Sequence, residues 1–332
     1  MNKKYSELAE LFRSEKTDEE ILDFLLNYHK NDIADMMAGM TEEERKRLYH
    51  LLGAQKVAEI FKYIEEPRKY IRELSVESAA RVISEMDSDD AVDLLEDLDP
   101  EEKEQIVRML DEDAKKDVKM LLSYDEEEIG SCMTTNYICI PEDLTIKQAM
   151  SELVKQAGEN DNIMTIYVVD EKGVFAGAID LKDLIRAREN THLEDLVLKS
   201  YPYVTDHEKI DDCMDRILDY AEDSIPVLSE DKRILGVITS EDLIEMVDNE
   251  MGEDYAKLAG LTAEEDLKEP TIQSMKKRLP WLIILLFLGM AVSSVVGLFE
   301  NVVAVLPIVI CFQSLVLDMA GNVGTQSLAV TI

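Results

Sequence analysis

The sequence has few of the residues that build common catalytic and metal sites. Of its 332 residues, four are cysteine and four are histidine. The cysteines lack CxxC spacing, which argues against a zinc site and fits free thiols in a reducing compartment. The histidines show no ligand spacing and no nucleophile motif is present, so we do not expect enzymatic activity. These residues are Cys132, Cys139, Cys213, Cys311, His29, His50, His192 and His207.

Positive charge is also scarce. The chain has 35 Lys and Arg against 71 Asp and Glu, for a formal net charge of −36. Phosphate would be repelled, so nucleic acid is not a predicted partner. Cations or basic partners are the natural counterparts, and the alternative is that the acidity only aids solubility.

Long apolar runs are absent until the last part of the chain. Met1–Tyr5 is followed by no apolar segment, so no signal peptide is predicted. From 279 to 299 no charge occurs, and Lys276, Lys277 and Arg278 come directly before. This length matches a bilayer-spanning helix, and the basic triplet predicts that everything upstream is cytoplasmic. We therefore expect a multi-pass protein of the cell membrane with a large cytoplasmic N-terminal part.

A second apolar stretch starts at Asn301, contains Pro307 and reaches Ile332. Together, 279–332 are predicted to be two transmembrane helices of an incomplete membrane domain. A chain that ends inside a span is typical of a fragment, and we do not expect it to conduct ions by itself.

Residues 1–125 are predicted to form short helices in series. Thr41 and Glu44 have the spacing of a capping box, and Asp99 precedes Pro100 as an N-cap acid. Each helix is too short to be stable alone, so stacking into an acidic superhelix is expected.

From 131 to 250 the pattern changes to alternating strands and helices, and it occurs twice. Ile166 and Gly177 in one copy match Ile225 and Gly236 in the other, an offset of 59 residues. We place the two copies at 131–190 and 199–250 and expect them to pair, because neither buries its sheet alone. The polar segment 251–278, interrupted by Gly252 and Gly260, is predicted to be a connecting helix. The fold class is thus multidomain, with an all-α superhelix, a tandem α/β pair, a connecting helix and α-helical transmembrane segments.

Family motifs support this division. The two copies resemble tandem CBS domains. The second has Gly236, Thr239 and Asp242 in the expected pattern, whereas the first has Asp180 where a hydroxyl residue is expected and retains Asp183. The order of the regions resembles the MgtE family of magnesium channels and transporters over the whole chain. The most specific segments are 123–134, 278–282, 297–300 and 321–327.

The resemblance implies that magnesium ions sit between the helical region and the CBS pair, and between the pair and the connecting helix, within a homodimer. Magnesium takes one or two carboxylates per site and keeps several waters, which suits weak sites between domains. Lys209 and Ala221 stand where the family has acids, which puts one or more sites in doubt. The alternative is a solvated acidic face. Carried over by motif, the metal residues are Glu59, Asp89, Asp90, Asp93, Asp211, Asp242, Glu245, Asp248, Glu250 and Glu253.

Thr239 and Asp242 are also candidates to hold the phosphate and ribose of an adenine nucleotide such as ATP. The alternative is that Thr239 caps the helix that begins near Ser240. With Asp180 in the first copy, we do not expect a symmetric pair of nucleotide sites.

In the second apolar stretch, four polar residues share one helical face: Asp318, Asn322, Thr325 and Gln326. Polar groups in hydrocarbon need partners or water, and the resemblance implies that this segment lines the ion path at the dimer axis.

The function predicted from the sequence is magnesium transport, with cytosolic magnesium sensing that closes the pore. Two alternatives are a divalent-cation transporter regulated by adenine nucleotide, in which the acids only solubilise, and a membrane-tethered interaction protein whose superhelix binds a basic partner.

Overall fold

The structure is a computed structural model that describes residues 12, 17–64, 66–158, 160–188, 190–259, 271–298 and 307–331. Its contacts divide the chain into two units, Met1–Leu243 and Ile244–Ile332.

The first unit begins with the predicted series of short helices. Thr17 and Thr41 each form a capping box, with Glu20 and Glu44 respectively. The described helices are α1 Asp18–Leu25, α2 Lys30–Met37, α3 Glu42–Phe61, α4 Pro67–Ile71, α5 Val76–Ser84, α6 Ser88–Glu96, α7 Pro100–Met109 and α8 Glu112–Leu121. The helical prediction for this region is confirmed.

Alternate helices pack on one another, α5 on α7 and α6 on α8, and so bury a continuous apolar seam. Leu48, Ile83 and Leu95 are fully buried in it. α7 begins at Pro100 with Asp99 as its N-cap residue, but the Asp99 carboxylate makes no capping bond. It accepts hydrogen bonds from Arg68 and Arg72 instead, because a charged donor binds a carboxylate more strongly than a backbone amide does.

The region after α8 forms two three-stranded sheets, as the repeat predicts. In each, the first strand is parallel to the second and the second is antiparallel to the third. The elements are β1 Ile138–Pro141, α9 Ile146–Gln156, β2 Thr165–Val169, β3 Phe175–Asp180 and α10 Leu181–Arg186 in the first repeat, then β4 Val204–Thr205, α11 Ile210–Leu218, β5 Ser224–Leu228 and β6 Ile234–Thr239 in the second.

The two glycines that mark the repeat hold equivalent places. Gly177 pairs with Val168 and Gly236 pairs with Val227, each beside a register shift. A Cβ at Gly177 would lie 2.6 Å from the Leu198 carbonyl oxygen, at a φ of +147°. A Cβ at Gly236 would lie 2.7 Å from the Thr134 carbonyl oxygen. Both positions therefore let another segment approach the backbone closely.

The approaching segments link distant parts of the chain. The segment 122–137, which joins α8 to β1 and which we call the linker, contains Thr134. Thr134 exchanges two 2.8 Å backbone hydrogen bonds with Val237 of the second repeat. Between the repeats, the buried Tyr167 hydroxyl lies 2.6 Å from the Ser224 hydroxyl. The repeats thus form one structure, in which the second also receives the linker from the helical region.

The helix after β6, α12 Ser240–Ala259, has no break at Gly252. The interruption expected at Gly252 is therefore wrong, and Gly260 lies outside the described residues. The second unit also contains α13 Thr271–Leu298, with Pro280 inside it, and α14 Pro307–Thr331. Among the residues that the structure describes, no helix meets the length and apolarity needed to cross a membrane.

Candidate functional site

Acidic side chains from two regions meet where the helical region contacts the second repeat. α6 places Asp89 and Asp90 in its first turn, and α12 does the same for Glu241 and Asp242. Acids are favoured at helix N-termini because the backbone N–H groups there carry partial positive charge. We call the set Asp87, Asp89, Asp90, Glu241 and Asp242 the junction acids.

The carboxyl group of Asp89 lies in an unfavourable environment for a negative charge. Burial raises the pKa of its carboxyl well above the ordinary value, and the nearby charges of Asp242 and Asp90 raise it further. Its Oδ1 atom is buried and accepts no hydrogen bond from the described part of the chain. A buried carboxylate oxygen without a donor is costly, so this position favours a proton or a cation.

The pKa values of the neighbouring acids are also raised. Burial raises the pKa of Asp90 to about 7, although the positive charge of Lys62 opposes the rise. Burial also raises the pKa of Asp242, while its hydrogen bonds with Thr239 work against the shift. The junction thus concentrates carboxylates that are poorly solvated as anions.

One ammonium group enters this cluster. Lys62 follows the last residue of α3, and its Nζ lies 3.1 Å from Glu241 Oε2 and 3.8 Å from Asp87 Oδ2. It therefore joins the helical region to the second repeat by charge.

Hydrogen bonds from uncharged donors also hold the same junction in place. The backbone N–H of Thr135 donates to the buried Ser88 hydroxyl at 2.9 Å, and the Thr135 hydroxyl donates to Asp117 at 2.8 Å. The Asn136 amide donates to Asp87 at 2.8 Å. The linker is therefore fixed to α6 and α8 independently of any ion.

Beside these bonds lies a cavity of about 770 Å³ with a mostly polar lining. Glu59 lines it together with Asp87, Asp117 and Asp161. The Glu59 carboxylate pairs with Lys30 at 2.9 Å. Glu59 thus faces the same region of the molecule as Asp87, but it already has a basic partner.

The structure brings only part of the predicted metal set together. Asp89, Asp90 and Asp242 converge, and the charge of Asp93 adds to the pKa rise that burial causes at Asp90. Asp211 is exposed on α11, whereas Glu245 and Asp248 are exposed on α12 in the second unit. The side chains of Glu250 and Glu253 lie outside what the structure describes.

Within the described residues, no three histidine, cysteine or carboxylate side chains are gathered closely enough to hold a metal ion. The magnesium site therefore stays a prediction.

The structure describes Lys209 and Ala221, the two positions where an acid was expected from the family. Lys209 pairs with Glu127 of the linker at 2.6 Å, and Ala221 lies in a turn with a φ of +51°. Next to Lys209, His207 Nδ1 lies 2.9 Å from Glu128 Oε1. The second repeat thus holds the linker by two ion-pairing contacts.

Lys62, Asp87 and Glu241 complete the junction and were not among the predicted site residues. Glu241 is adjacent to Asp242, so its position in the first turn of α12 was the one available signal. Asp87 is the N-cap residue of α6, a local pattern that places it beside Asp89 and Asp90 but not against the second repeat. Lys62 carries no local pattern, because its role depends on which surfaces of the two regions meet.

The predicted nucleotide residues have a structural role. The Thr239 backbone N–H and hydroxyl donate to Asp242 Oδ2 at 2.7 and 2.8 Å, and the Asp242 N–H donates back to the hydroxyl at 3.3 Å. This is the arrangement of a capping box, so the prediction that Thr239 caps this helix is confirmed. In the first repeat, Asp180 precedes α10 without a capping bond from its side chain.

α14 carries the predicted pore residues. All four side chains are exposed, and the Thr325 hydroxyl donates to the Gly321 carbonyl at 2.6 Å. Their spacing along one continuous helix places Asp318, Asn322, Thr325 and Gln326 on one face.

Comparison with protein families finds separate matches for the helical region and for each of the two repeats. The model of the MgtE intracellular N domain matches residues 28–127, and the CBS domain model matches 127–190 and 193–249.

The chain is also similar in sequence to magnesium transporters over longer ranges. The chain is 38% identical over 336 residues to a magnesium transporter MgtE of Enterococcus faecalis, covering all of this chain and 74% of that protein. It is 32% identical over 213 residues to the MgtE of Bacillus subtilis, which covers 63% of this chain and 47% of that one.

Solved structures agree with the fold. The soluble part of a magnesium transporter matches with a TM-score of 0.71 and 29% identity, over 74% of this chain and 98% of that one. The cytosolic domain of the Mg²⁺ channel MgtE in complex with ATP matches with a TM-score of 0.65 and 27% identity, over 73% and 99%.

Proposed function

Because the chain belongs to the MgtE family of magnesium transporters, we propose that it transports magnesium across the cell membrane and senses cytosolic magnesium at the junction acids. The observation that carries the proposal is the convergence of Asp89 and Asp90, from the helical region, with Asp242, from the second repeat. The Oδ1 atom of Asp89 is buried and receives no hydrogen bond from the described residues, which supports a cation at this place.

The residues present fit a hydrated divalent ion. Magnesium binds through one or two carboxylates and keeps much of its water, so acids on two separate surfaces can share one ion. A bound ion supplies positive charge that offsets the repulsion between Asp89, Asp90 and Asp242. Without it, the same repulsion favours separation of the helical region from the second repeat.

In this proposal, docking of the helical region at high magnesium is transmitted through the segment 251–278 and closes the pore of a homodimer. The predicted membrane spans, 279–332, rest on their apolar sequence and on the family. We place Asp318, Asn322, Thr325 and Gln326 on the ion path, where neutral polar groups can contact the water shell of magnesium.

The sensing step can be tested by limited proteolysis of the 332-residue chain. Millimolar magnesium should protect the 122–130 part of the linker from cleavage, because docking holds its backbone against the second repeat, where the N–H groups of Ile129 and Gly130 donate to carbonyl oxygens. A chelator should release this segment and make it easier to cleave. The variant Asp89→Asn with Asp242→Asn should lose this response. Exposed acids of the same two regions, in the variants Glu101→Gln and Asp231→Asn, provide matched controls that should keep it. Identical cleavage of the parent chain with and without magnesium would contradict the sensing proposal.

ATP is a second candidate ligand, because a similar cytosolic domain was solved in complex with ATP. The capping bonds engage one oxygen of Asp242 and the Thr239 hydroxyl, so nucleotide binding at these residues must compete with the cap and with a metal. If ATP protects the linker in the same assay and magnesium does not, the alternative of nucleotide regulation is favoured. If neither protects it and a basic polypeptide does, the interaction-protein alternative is favoured.

The ion path can be tested in a chain extended to the family's full length. Asn322→Leu should abolish magnesium uptake in a transport-deficient host, because leucine cannot contact a hydrated ion. Normal growth of that host, with the variant present at the parent's level in the membrane, would place this face of α14 outside the path.

A further inference from the structure

Lys62 occupies a place in the junction that the transport proposal does not explain. Its side chain is 30% exposed, and its ammonium lies between Asp87 of its own region and Glu241 of the second repeat. Every other side chain that we have placed in this cluster is acidic. A basic residue here is the reverse of what a site for a divalent cation would be expected to contain.

The position of Lys62 resembles that of a bound ion. Its ammonium makes the charge contact between the two regions that a divalent cation would make, at distances of 3.1 and 3.8 Å. The group is covalently attached to the end of α3, so its local concentration does not change with the magnesium level.

One ammonium does not saturate the junction. It carries one positive charge against the carboxylates of Asp87, Asp89, Asp90, Glu241 and Asp242. Asp89 Oδ1 stays without a hydrogen-bond donor in the described structure. Room for further positive charge therefore remains while Lys62 is in place, and a divalent ion would supply more charge than the ammonium does.

We propose that Lys62 is a tethered cation that competes with magnesium for the junction acids and so sets the magnesium concentration at which the sensor fills. This inference rests on the proposed sensing function. In the metal-free chain, Lys62 holds the helical region partly docked. When magnesium binds, the ammonium must give up part of its contact with Glu241 and Asp87. The free energy lost with that contact lowers the apparent affinity for the ion.

A plain structural clamp makes a different prediction. If Lys62 only stabilised the docked state, its removal would weaken docking and weaken magnesium binding together, because a metal that binds between the regions needs them docked. A competing cation instead links the two in opposite directions, so that its removal weakens metal-free docking and tightens magnesium binding. The sign of the change in affinity separates the two roles.

The test uses the 332-residue chain, with magnesium chloride titrated by calorimetry. The signal assigned to the junction is the part that Asp89→Asn with Asp242→Asn removes. Lys62→Met keeps the length of the side chain and removes its charge, and we expect magnesium to bind this variant roughly tenfold more tightly, a coupling of ordinary size. Lys62→Arg should bind within about twofold of the parent, because it retains the charge.

Lys46→Met is the matched control for loss of one positive charge. Lys46 pairs with Glu42 on the same helix that Lys62 follows, so its removal should leave the affinity unchanged. In chelator, Lys62→Met should be cleaved at 122–130 faster than the parent, and Lys46→Met should not.

Unchanged or weaker magnesium binding by Lys62→Met, with the parent binding normally, would overturn the role of Lys62 and leave the sensing proposal intact. Equal tightening in Lys46→Met would also overturn it, because the effect would then be one of net charge. Absence of any junction signal in the parent would overturn the sensing proposal and this inference with it.

Discussion

The two repeats share one topology but begin their last helices differently. In the second, Thr239 and Asp242 form a capping box, and Asp242 also faces the junction acids. In the first, Asp180 occupies the place of Thr239 and makes no capping bond. The same scaffold thus carries a capped helix that contributes to the junction acids in one copy and lacks the corresponding cap in the other, so symmetry of fold does not imply symmetry of chemistry.

The largest expected effect tests what the repeats have in common. Gly177→Ala should destabilise the chain by about 2–3 kcal/mol, because alanine disfavours the positive φ and its Cβ would meet the Leu198 carbonyl. At Gly236 the φ is not positive, but a Cβ would meet the Thr134 carbonyl and the Met133 side chain, so Gly236→Ala should cost about 1–2 kcal/mol. Urea unfolding measures both. Gly158→Ala, where a Cβ makes an ordinary 3.5 Å contact, is the control and should change little.

The next effect concerns the junction acids of the helical region, which lie against the second repeat. Folding raises the pKa of Asp90 to about 7, mainly through burial, so the folded chain binds more protons than the unfolded chain between about pH 4 and pH 7. In chelator, stability should therefore rise by about 1 kcal/mol from pH 8 to pH 6. Asp90→Asn should flatten this profile, as followed by thermal unfolding. A steeper rise in the variant would mean that other groups control the junction.

A smaller effect distinguishes the two helix starts directly. Thr239→Ala removes a capping oxygen and should cost about 1 kcal/mol. Asp180→Ala removes a side chain without a capping bond and should cost less than about half of that. Thr239→Ser keeps the hydroxyl and serves as the control in urea unfolding. Equal losses of stability at both positions would show that the two helix starts do not differ in capping.

The smallest effect concerns the linker, which the second repeat holds at an exposed contact. The hydrogen bond with Glu128, followed by the charge of Asp206, raises the pKa of His207 above its ordinary value. The protonated form therefore stabilises the folded contact at low pH, and this contribution is lost as the pH rises through the folded-state pKa. NMR titration should show a lower His207 pKa in Glu128→Gln. An unchanged value would show that Glu128 is not its main partner.

Much of the fold followed from local patterns. The capping box at Thr41, the paired glycines and the alternation of strand and helix depend on spacing along the chain, and each is found where it was predicted. The continuous helix through Gly252 was missed, since one glycine in a polar stretch costs a helix only about 1 kcal/mol.

The site was less accessible to sequence reasoning. Asp89, Asp90 and Asp242 could be named from the family, but nothing in the sequence indicates that Lys62 joins them. Its partners, Asp87 and Glu241, lie 25 and 179 positions further along the chain. Such a contact depends on the docking of two folded regions, whereas sequence periodicity reports only which face of each element is apolar.

The pairing of Thr134 with Val237 has a consequence for how the protein is made. The helical region consists of local contacts and can fold as soon as it leaves the ribosome, since domains form in order during synthesis. Its linker, however, is hydrogen-bonded to a strand that is translated about a hundred residues later. Until Val237 has emerged, Thr134 has no partner there and the nascent helical region cannot be locked in place. The docked state is therefore the last part of this unit to be completed, and it is reached only after both repeats have been translated.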